Sequence, residues 1–175
     1  MDPFYQATAL SAAYDRIDRL PAVVLLDNVR SLYNVGSFFR TCDAVRVRQL
    51  LLSGITASPP NPRIAKTALG AEQAVPWERT QGSAEALGRL RAQGYQLAAV
   101  ETSLQAVDLF DWQPAFPVCL AFGHEVDGLP RAILDACDVH VRIPTLGRKQ
   151  SLNVATAGGV VLYELLRKYR ALLVT

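Results

Sequence analysis

Residues 22–52, AVVLLDNVRSLYNVGSFFRTCDAVRVRQLLL, hold the pattern that decides the fold. The apolar run Ala22 to Leu26 predicts a buried strand, and after a polar loop the segment Val35 to Val45 predicts a helix. A second apolar strand is predicted near Gln49 to Leu52. A strand, a helix and a strand in this order form a βαβ unit, in which the two strands lie parallel. The stretch therefore predicts an α/β fold.

The same alternation of apolar runs and amphipathic segments extends on both sides of this unit. Further strands are predicted at Ala74 to Trp77, Tyr95 to Val100, Val118 to Phe122 and Val139 to Ile143. Further helices are predicted at Ala9 to Leu20, Ile64 to Leu69, Ser83 to Gln93, Pro130 to Ala136 and Leu152 to Tyr169. Pro21 should end the first of these helices, because proline cannot continue it. Together the elements predict a mainly parallel sheet with helices on both faces.

The composition limits the class of protein. The chain has 175 residues, of which 50% are hydrophobic, and this suits one domain with a substantial core. Its 18 basic and 16 acidic residues leave a net charge of only +2, so any contact with nucleic acid must come from a local patch. The three cysteines form no C-x-x-C pair, which predicts free thiols in a reducing compartment. The sequence shows no leader and no long apolar run, so we expect a cytoplasmic protein that does not enter a membrane.

Three polar loops that contain glycine follow predicted strands, at 28–36, 123–129 and 144–153. In a parallel sheet, ligands bind beyond the carboxyl ends of the strands. Carboxyl ends of parallel strands meet at one edge of the sheet, so chemistry is expected where these loops come together.

The polar residues of these loops have structural interpretations as well as functional ones. Asn34 and Ser151 each suit the N-cap of a helix. Arg40 could pair with Asp43 on the first helix, and Glu125 could cap the helix that follows it. A function must therefore come from the combination of loops and not from any one residue.

Several common site types are excluded by spacing. The chain has no G-x-x-x-x-G-K-[ST], G-x-G-x-x-G or G-x-S-x-G motif, which argues against P-loop nucleotide hydrolysis, dinucleotide binding and an α/β-hydrolase nucleophile. His124-Glu125 begins like a zincin helix, but Gly128 stands where the second histidine ligand is required. With His140 as the only other histidine of the sequence, no metal site is predicted.

Taken together, the three loops resemble the three sequence motifs of the SpoU/TrmH branch of the SPOUT methyltransferases. The family motif N-x-G-x-x-x-R-T is matched by Asn34, Gly36, Arg40 and Thr41. The motif F-G-x-E-x-x-G-L is matched by Phe122, Gly123, Glu125, Gly128 and Leu129. The motif I-P-M-x-G-x-x-x-S-L-N-V is matched by Ile143, Pro144, Gly147, Ser151, Leu152, Asn153 and Val154, with Thr145 in place of methionine.

This resemblance implies a single SPOUT methyltransferase domain over residues 1–175, with a C-terminal trefoil knot and a short helical extension at about 1–20. It implies S-adenosylmethionine as the cofactor, no metal, RNA as the substrate, and a homodimer whose active site takes residues from both subunits. The implied cofactor-binding positions are Thr102, Gly123, Gly128, Ile143, Ser151 and Leu152. The implied catalytic set is Arg40 with the supporting polar residues Asn34, Glu125, Ser151 and Asn153.

The implied reaction transfers a methyl group from the sulfonium to a ribose 2′-hydroxyl, and it constrains the role of Arg40. The ribose oxygen must align behind the methyl carbon while its proton is removed or weakened. A guanidinium with a pKa above about 12 is a poor base. We therefore expect Arg40 to anchor the adjacent phosphate and polarise the hydroxyl. Other expected RNA contacts are Arg30, Arg148 and Lys149. Further candidates for phosphate contact are Arg46, Arg48, Arg63 and Lys66.

Alternatives remain open at this point. One is a catalytically inactive SPOUT-fold protein that binds RNA or assists assembly, and another is an enzyme that methylates a base nitrogen. The N-x-G-x-x-x-R motif favours ribose. Family members that act on ribosomal RNA often carry an added N-terminal RNA-binding domain. Only about twenty residues precede the first predicted strand here, so the resemblance favours transfer RNA over ribosomal RNA.

Overall fold

A computed structural model describes residues 12–173 of the chain. Over this range the strands are β1 (Leu20–Asp27), β2 (Val47–Ser53), β3 (Trp77–Arg79), β4 (Gln96–Val100), β5 (Val107–Asp108), β6 (Val118–Phe122) and β7 (Val139–Arg142). They form one sheet in the order β3-β2-β1-β6-β4-β7-β5, and every pair of neighbours is parallel. The predicted parallel α/β sheet is confirmed.

Helices cover both faces of this sheet. They are α1 (Leu32–Ala44), α2 (Pro62–Ala68), α3 (Ala71–Ala74), α4 (Ser83–Ala92), α5 (Arg131–Asp135) and α6 (Val154–Leu172). Alternate residues of β1 enter opposite cores: Val24 packs with α1 and α6, and Leu25 packs with α4. Burial on both faces explains why the central strands are continuous apolar runs. No helix in residues 12–173 combines the length and apolar character that a membrane crossing requires.

The N-terminal prediction needs correction. Residues 9–11 of the predicted first helix lie outside the described residues, and the part from residue 12 onward contains a short 3-10 turn at Ala12–Tyr14. Pro21 does not end a helix but lies inside β1. The strand accepts it because the pairing with β2 shifts register between Leu20 and Val23, and the pairing with β6 starts after it. Its missing N–H therefore falls at an irregular strand start.

Two further element predictions were wrong or incomplete. The predicted strand at Ala74 to Trp77 is instead the end of α3 followed by β3, which begins at Trp77. The sequence predicted no strand at Val107–Asp108, where the structure has β5, a two-residue strand that pairs with β7. Neither segment is long enough for its periodicity to identify it.

The long last helix returns across the sheet and packs on the first. A Cβ added to Gly158 would overlap the ring of Phe38 on α1, whereas a Cβ on Gly159 would meet open space. Gly158 therefore allows close approach of α6 to α1. This contact brings the start of α6 beside the start of α1, where the candidate site lies.

Candidate functional site

A cleft lies beyond the carboxyl ends of β4, β6 and β7. Its volume is about 760 Å³. The walls come from residues 101–103, 122–129, 141–143, 145 and 150–154, together with Val100, Leu134 and Ala157. Two of the three loops singled out from the sequence thus form most of the walls, as expected for the ligand-binding edge of a parallel sheet.

The loop after β6 folds back tightly on itself. The backbone N–H of His124 donates to the carbonyl of Gly128 (3.2 Å), and the N–H of Gly128 donates to the carbonyl of His124 (3.0 Å). Gly128 has a φ of 69°, and a Cβ added to Gly123 would overlap the backbone of Gly128. Both glycines are therefore required by the backbone, and the folded loop presents Glu125 toward α1.

The Glu125 carboxylate connects this loop to the loop after β1. It accepts hydrogen bonds from the backbone N–H groups of Arg30 (3.0 Å) and Ser31 (2.9 Å). It also accepts one from Nδ2 of Asn34 (3.0 Å). Partial burial opposes ionisation, but the backbone and Asn34 hydrogen bonds outweigh it and lower the pKa of Glu125. The group is an anion at neutral pH.

Asn34 extends the connection to the third loop. Nδ2 of Asn153 donates to Oδ1 of Asn34 (3.2 Å), while Oδ1 of Asn153 accepts from the N–H groups of Ala155 (2.9 Å) and Thr156 (3.2 Å). A continuous chain of hydrogen bonds, Asn153 to Asn34 to Glu125, therefore joins all three loops. We refer to these three residues as the polar chain.

The polar chain corrects both predicted helix caps. The N-cap of α1 is Ser31, whose Oγ accepts from the N–H of Asn34 (3.3 Å), and the N-cap of α6 is Asn153 and not Ser151. Because α1 begins before Asn34, the Asn34 side chain is released from capping and reaches Glu125. Glu125 is likewise bound to the first loop and does not cap α5, whose N-cap is Pro130.

The ionised state of Glu125 should make the chain more stable in neutral than in acidic solution. Its folded pKa is lowered, so its contribution is fully present above the ordinary glutamate pKa and is lost as pH falls through the folded pKa. We expect the difference in free energy of unfolding between wild type and Glu125→Gln to be largest at neutral pH and to shrink in acid. Denaturant titrations over this pH range measure it, and a difference independent of pH would contradict the assignment.

The structure brings all six expected cofactor positions together. The cleft is lined by Thr102, Gly123, Gly128, Ile143, Ser151 and Leu152. Glu125 and Asn153 also line it, and Asn34 lies directly behind them through the hydrogen bonds of the polar chain. Leu152 is 43% exposed, so its side chain is available to a ligand in the cleft.

Arg40 lies elsewhere. It is exposed on α1 and lines a separate depression with Lys66 and Tyr163. The pairing with Asp43 that the sequence allowed is absent, and among residues 12–173 no ion pair or hydrogen bond holds the Arg40 side chain. A single chain therefore does not place Arg40 in the cleft.

The other basic residues expected to contact RNA are at the surface. Arg30, Arg148 and Lys149 are all exposed and lie outside the cleft lining. Only the backbone of Arg30 takes part in the site, through its N–H to Glu125. Their side chains are accessible to a large ligand that covers the mouth of the cleft.

Glu101 is a cleft residue that the sequence reading missed. Its Oε1 accepts from the N–H of Thr102 (2.8 Å), and its Oε2 accepts from the N–H of Leu129 (3.1 Å). The carboxylate also lies against Gly128, where an added Cβ would overlap it. Glu101 thus ties the wall that follows β4 to the wall that follows β6. The available signal was a carboxylate placed directly after an apolar strand.

The two histidines support loops. Nδ1 of His124 lies 3.2 Å from the N–H groups of Val126 and Asp127. His140 is buried, with Nε2 3.0 Å from the carbonyl of Leu134 and Nδ1 2.7 Å from Oγ of Ser103. In the part of the chain that the structure describes, no three His, Cys, Asp or Glu side chains gather as a metal-binding group.

Comparison with known proteins connects this site to a family. The model of the SpoU rRNA Methylase family matches residues 21–163. A protein of Staphylococcus haemolyticus named for the TrmH family of tRNA/rRNA methyltransferases is 33% identical over 149 residues, which are 85% of this chain and 59% of that protein. The chain therefore spans about three fifths of the length of this relative.

Solved structures share the fold. An AdoMet-bound rRNA methyltransferase from Sinorhizobium meliloti is 33% identical, with a TM-score of 0.78 over 83% of this chain and 56% of that one. A structure that concerns the 2-OH methylation of C/U34 on tRNA is 25% identical, with a TM-score of 0.75 over 86% of this chain and 97% of that one. By its sequence and its fold, this chain belongs to the SpoU rRNA methylase family.

Proposed function

We propose that the chain is an S-adenosylmethionine-dependent RNA methyltransferase that methylates a ribose 2′-hydroxyl, with tRNA favoured as the substrate. The observation that carries the proposal is the polar chain of Asn153, Asn34 and Glu125 at the edge of a cleft of about 760 Å³. It unites the three sequence motifs, which lie far apart in the sequence, in one site. Sites for small ligands and cofactors have volumes of this order, about 300–1,000 Å³.

The cleft lining suits S-adenosylmethionine. Ile143 and Leu152 offer apolar surface to the adenine ring, and backbone groups at Thr102, Gly123 and Ser151 can hydrogen-bond the polar parts of the cofactor. Gly123 and Gly128 keep the neighbouring backbone accessible, because neither carries a side chain. When bound, the cofactor supplies a methyl group activated by the positive charge of its sulfonium.

Arg40 requires a second subunit in this proposal. The guanidinium lies outside the cleft of its own chain, on the exposed side of α1. We propose a homodimer in which Arg40 of one subunit reaches the cleft of the other, anchors the phosphate next to the target ribose and polarises its hydroxyl. Glu125 and Asn153 then fix the positions of the cofactor-binding loops relative to α1.

Two finer features belong to the same proposal. The chain forms one SPOUT domain in this proposal, and a C-terminal trefoil knot accords with the packing of α6 back onto α1 through Gly158. The choice of tRNA is supported by the similarity to a structure that concerns tRNA methylation, of which this chain covers 97%. The rival proposal, an inactive RNA-binding protein of the same fold, gives no reason for the polar chain to meet at the cleft.

Mapping of 2′-O-methylated nucleotides in cells with and without this protein tests substrate and reaction together. We expect one or a few tRNA ribose methylations to disappear in the cells that lack it and to return when the wild-type gene is restored. Loss at ribosomal RNA positions would correct the substrate, and loss of a base methylation would overturn the ribose assignment.

Replacement of Glu101 should weaken cofactor binding more than it slows transfer. In Glu101→Gln one amide oxygen cannot accept from both Thr102 and Leu129, and the amide N–H₂ faces a backbone N–H. We expect the Kd for S-adenosylmethionine to rise about 5- to 10-fold, with kcat at saturating cofactor changed less than about twofold. Glu85→Gln, at an exposed position of α4, is the matched control. Unchanged cofactor affinity would show that Glu101 does not shape the cleft.

A further inference from the structure

A second depression lies on the surface formed by α1, α2 and α6. Its volume is about 440 Å³, and its lining is Ser37, Arg40, Thr41, Ala44, Lys66, Thr67 and Tyr163. We refer to it as the α1–α2 depression. It contains two cationic side chains and four hydroxyls, one of them the phenol of Tyr163, and no acidic residue lines it.

The positions of the two cations are fixed by close packing of α2 on α1. Oγ1 of Thr67 donates to the carbonyl of Tyr33 (3.0 Å), which joins the two helices. A Cβ on Gly36 would overlap both Thr67 and the carbonyl of Ile64, so only glycine permits this approach. Lys66, which precedes Thr67, is thereby held on the same side of the molecule as Arg40.

Both cations are available to a ligand. Arg40 and Lys66 are exposed, and over residues 12–173 neither side chain makes an ion pair or a hydrogen bond within the chain. Two like charges beside one depression repel each other until an anion comes between them. The hydroxyls of Ser37 and Thr41 donate within α1 (2.9 and 3.1 Å), so the donors that this surface offers to a ligand are the two cations and the phenol of Tyr163.

We propose that the α1–α2 depression binds the phosphodiester backbone of the RNA substrate, with Lys66 holding a phosphate beside the one that Arg40 contacts. The inference rests on the proposed function, because it takes the RNA substrate as its ligand. An open surface with exposed cations suits a strand that lies across it, since phosphate contacts fix the position of a nucleic acid. Tyr163, 55% exposed, presents a ring on which the adjoining ribose or an unpaired base can pack.

Lys66→Gln tests the proposal, with Arg89→Gln as the matched control. Arg89→Gln removes one positive charge, as Lys66→Gln does. Arg89 lies on α4, which covers the opposite face of the sheet. For Lys66→Gln we expect tRNA to bind about 5- to 10-fold more weakly, and the slope of log K against log salt to fall by roughly 0.7–0.9. Cofactor affinity and kcat at saturating RNA should match wild type, because Lys66 touches neither the cofactor nor the reacting atoms.

The outcomes separate this site from the proposed reaction. Lys66-dependent RNA binding by a protein that transfers no methyl group would support the site and refute the reaction. Ribose methylation with tRNA affinity and salt slope equal to those of Arg89→Gln would refute the site and keep the reaction. Inorganic phosphate serves as the small probe in calorimetry: sub-millimolar binding that Lys66→Gln abolishes would overturn the RNA assignment in favour of a free anion.

Discussion

Arg40→Ala should lose methyl transfer while it keeps its cofactor and its fold. Removal of one preorganised donor from a reacting oxygen typically lowers kcat about 10²- to 10³-fold, and we expect a loss of this size. Affinity for S-adenosylmethionine should be unchanged, because Arg40 lies outside the cleft of its own chain and, in the proposed dimer, contacts the RNA and not the cofactor. Single-turnover transfer with saturating RNA measures the effect. Arg40→Lys should recover little activity, because an ammonium lacks the planar fork of the guanidinium.

The proposed dimeric site predicts a second result for the same variant. When Arg40→Ala and Gly123→Ala chains are co-expressed, a mixed dimer combines an intact cleft with an intact arginine in one of its two sites. Random pairing should then restore about a quarter of wild-type activity from two inactive chains. Absence of any recovery in verified mixed dimers would place Arg40 and the cleft of the same subunit in one site.

Gly123→Ala should abolish cofactor binding. The added Cβ overlaps the backbone of Gly128 and Leu129, so the folded loop after β6 must open. Opening moves Glu125 away from Arg30, Ser31 and Asn34, and the wall of the cleft is lost with it. We expect the Kd for S-adenosylmethionine to rise more than about 100-fold in calorimetry, since a misplaced site backbone removes several contacts at once.

A matched glycine separates this effect from a general loss of stability. Gly88 lies on α4, and a Cβ there meets open space. Gly88→Ala should bind the cofactor like wild type and raise stability by up to about 1 kcal/mol, because alanine favours helix. Wild-type cofactor affinity in a folded Gly123→Ala protein would contradict the role assigned to the loop.

The parts of the fold that the sequence predicts well are those with strong local patterns. The strand predicted at Val118 to Phe122 has those bounds in the structure, because burial on both faces makes it a continuous apolar run. The second and third motifs likewise contain residues that line the cleft, whereas Arg40 of the first motif lies outside it. β5 is missed because two residues carry no measurable periodicity.

The candidate site was predicted less completely because its geometry depends on contacts across the sequence. Ser31 and Asn34 are both good N-caps, and the choice of Ser31 leaves Asn34 free to bind Glu125, 91 residues away. Glu101 has no local signal for its bonds to Thr102 and Leu129. Arg40 lies outside the cleft because of the face of α1 that it occupies. The helical periodicity of the sequence places this face at the surface, but it does not identify the ligand or subunit that the face contacts.

Transfer of a labelled methyl group from S-adenosylmethionine to RNA, followed by digestion to nucleosides, tests the central claim most directly. The RNA should come from cells that lack this protein, so that its target is unmethylated. We predict label in a 2′-O-methylnucleoside from the tRNA fraction, and labelling about 10²- to 10³-fold slower with Arg40→Ala. Label in a base-methylated nucleoside, or no label from a protein that binds the cofactor, would contradict the account.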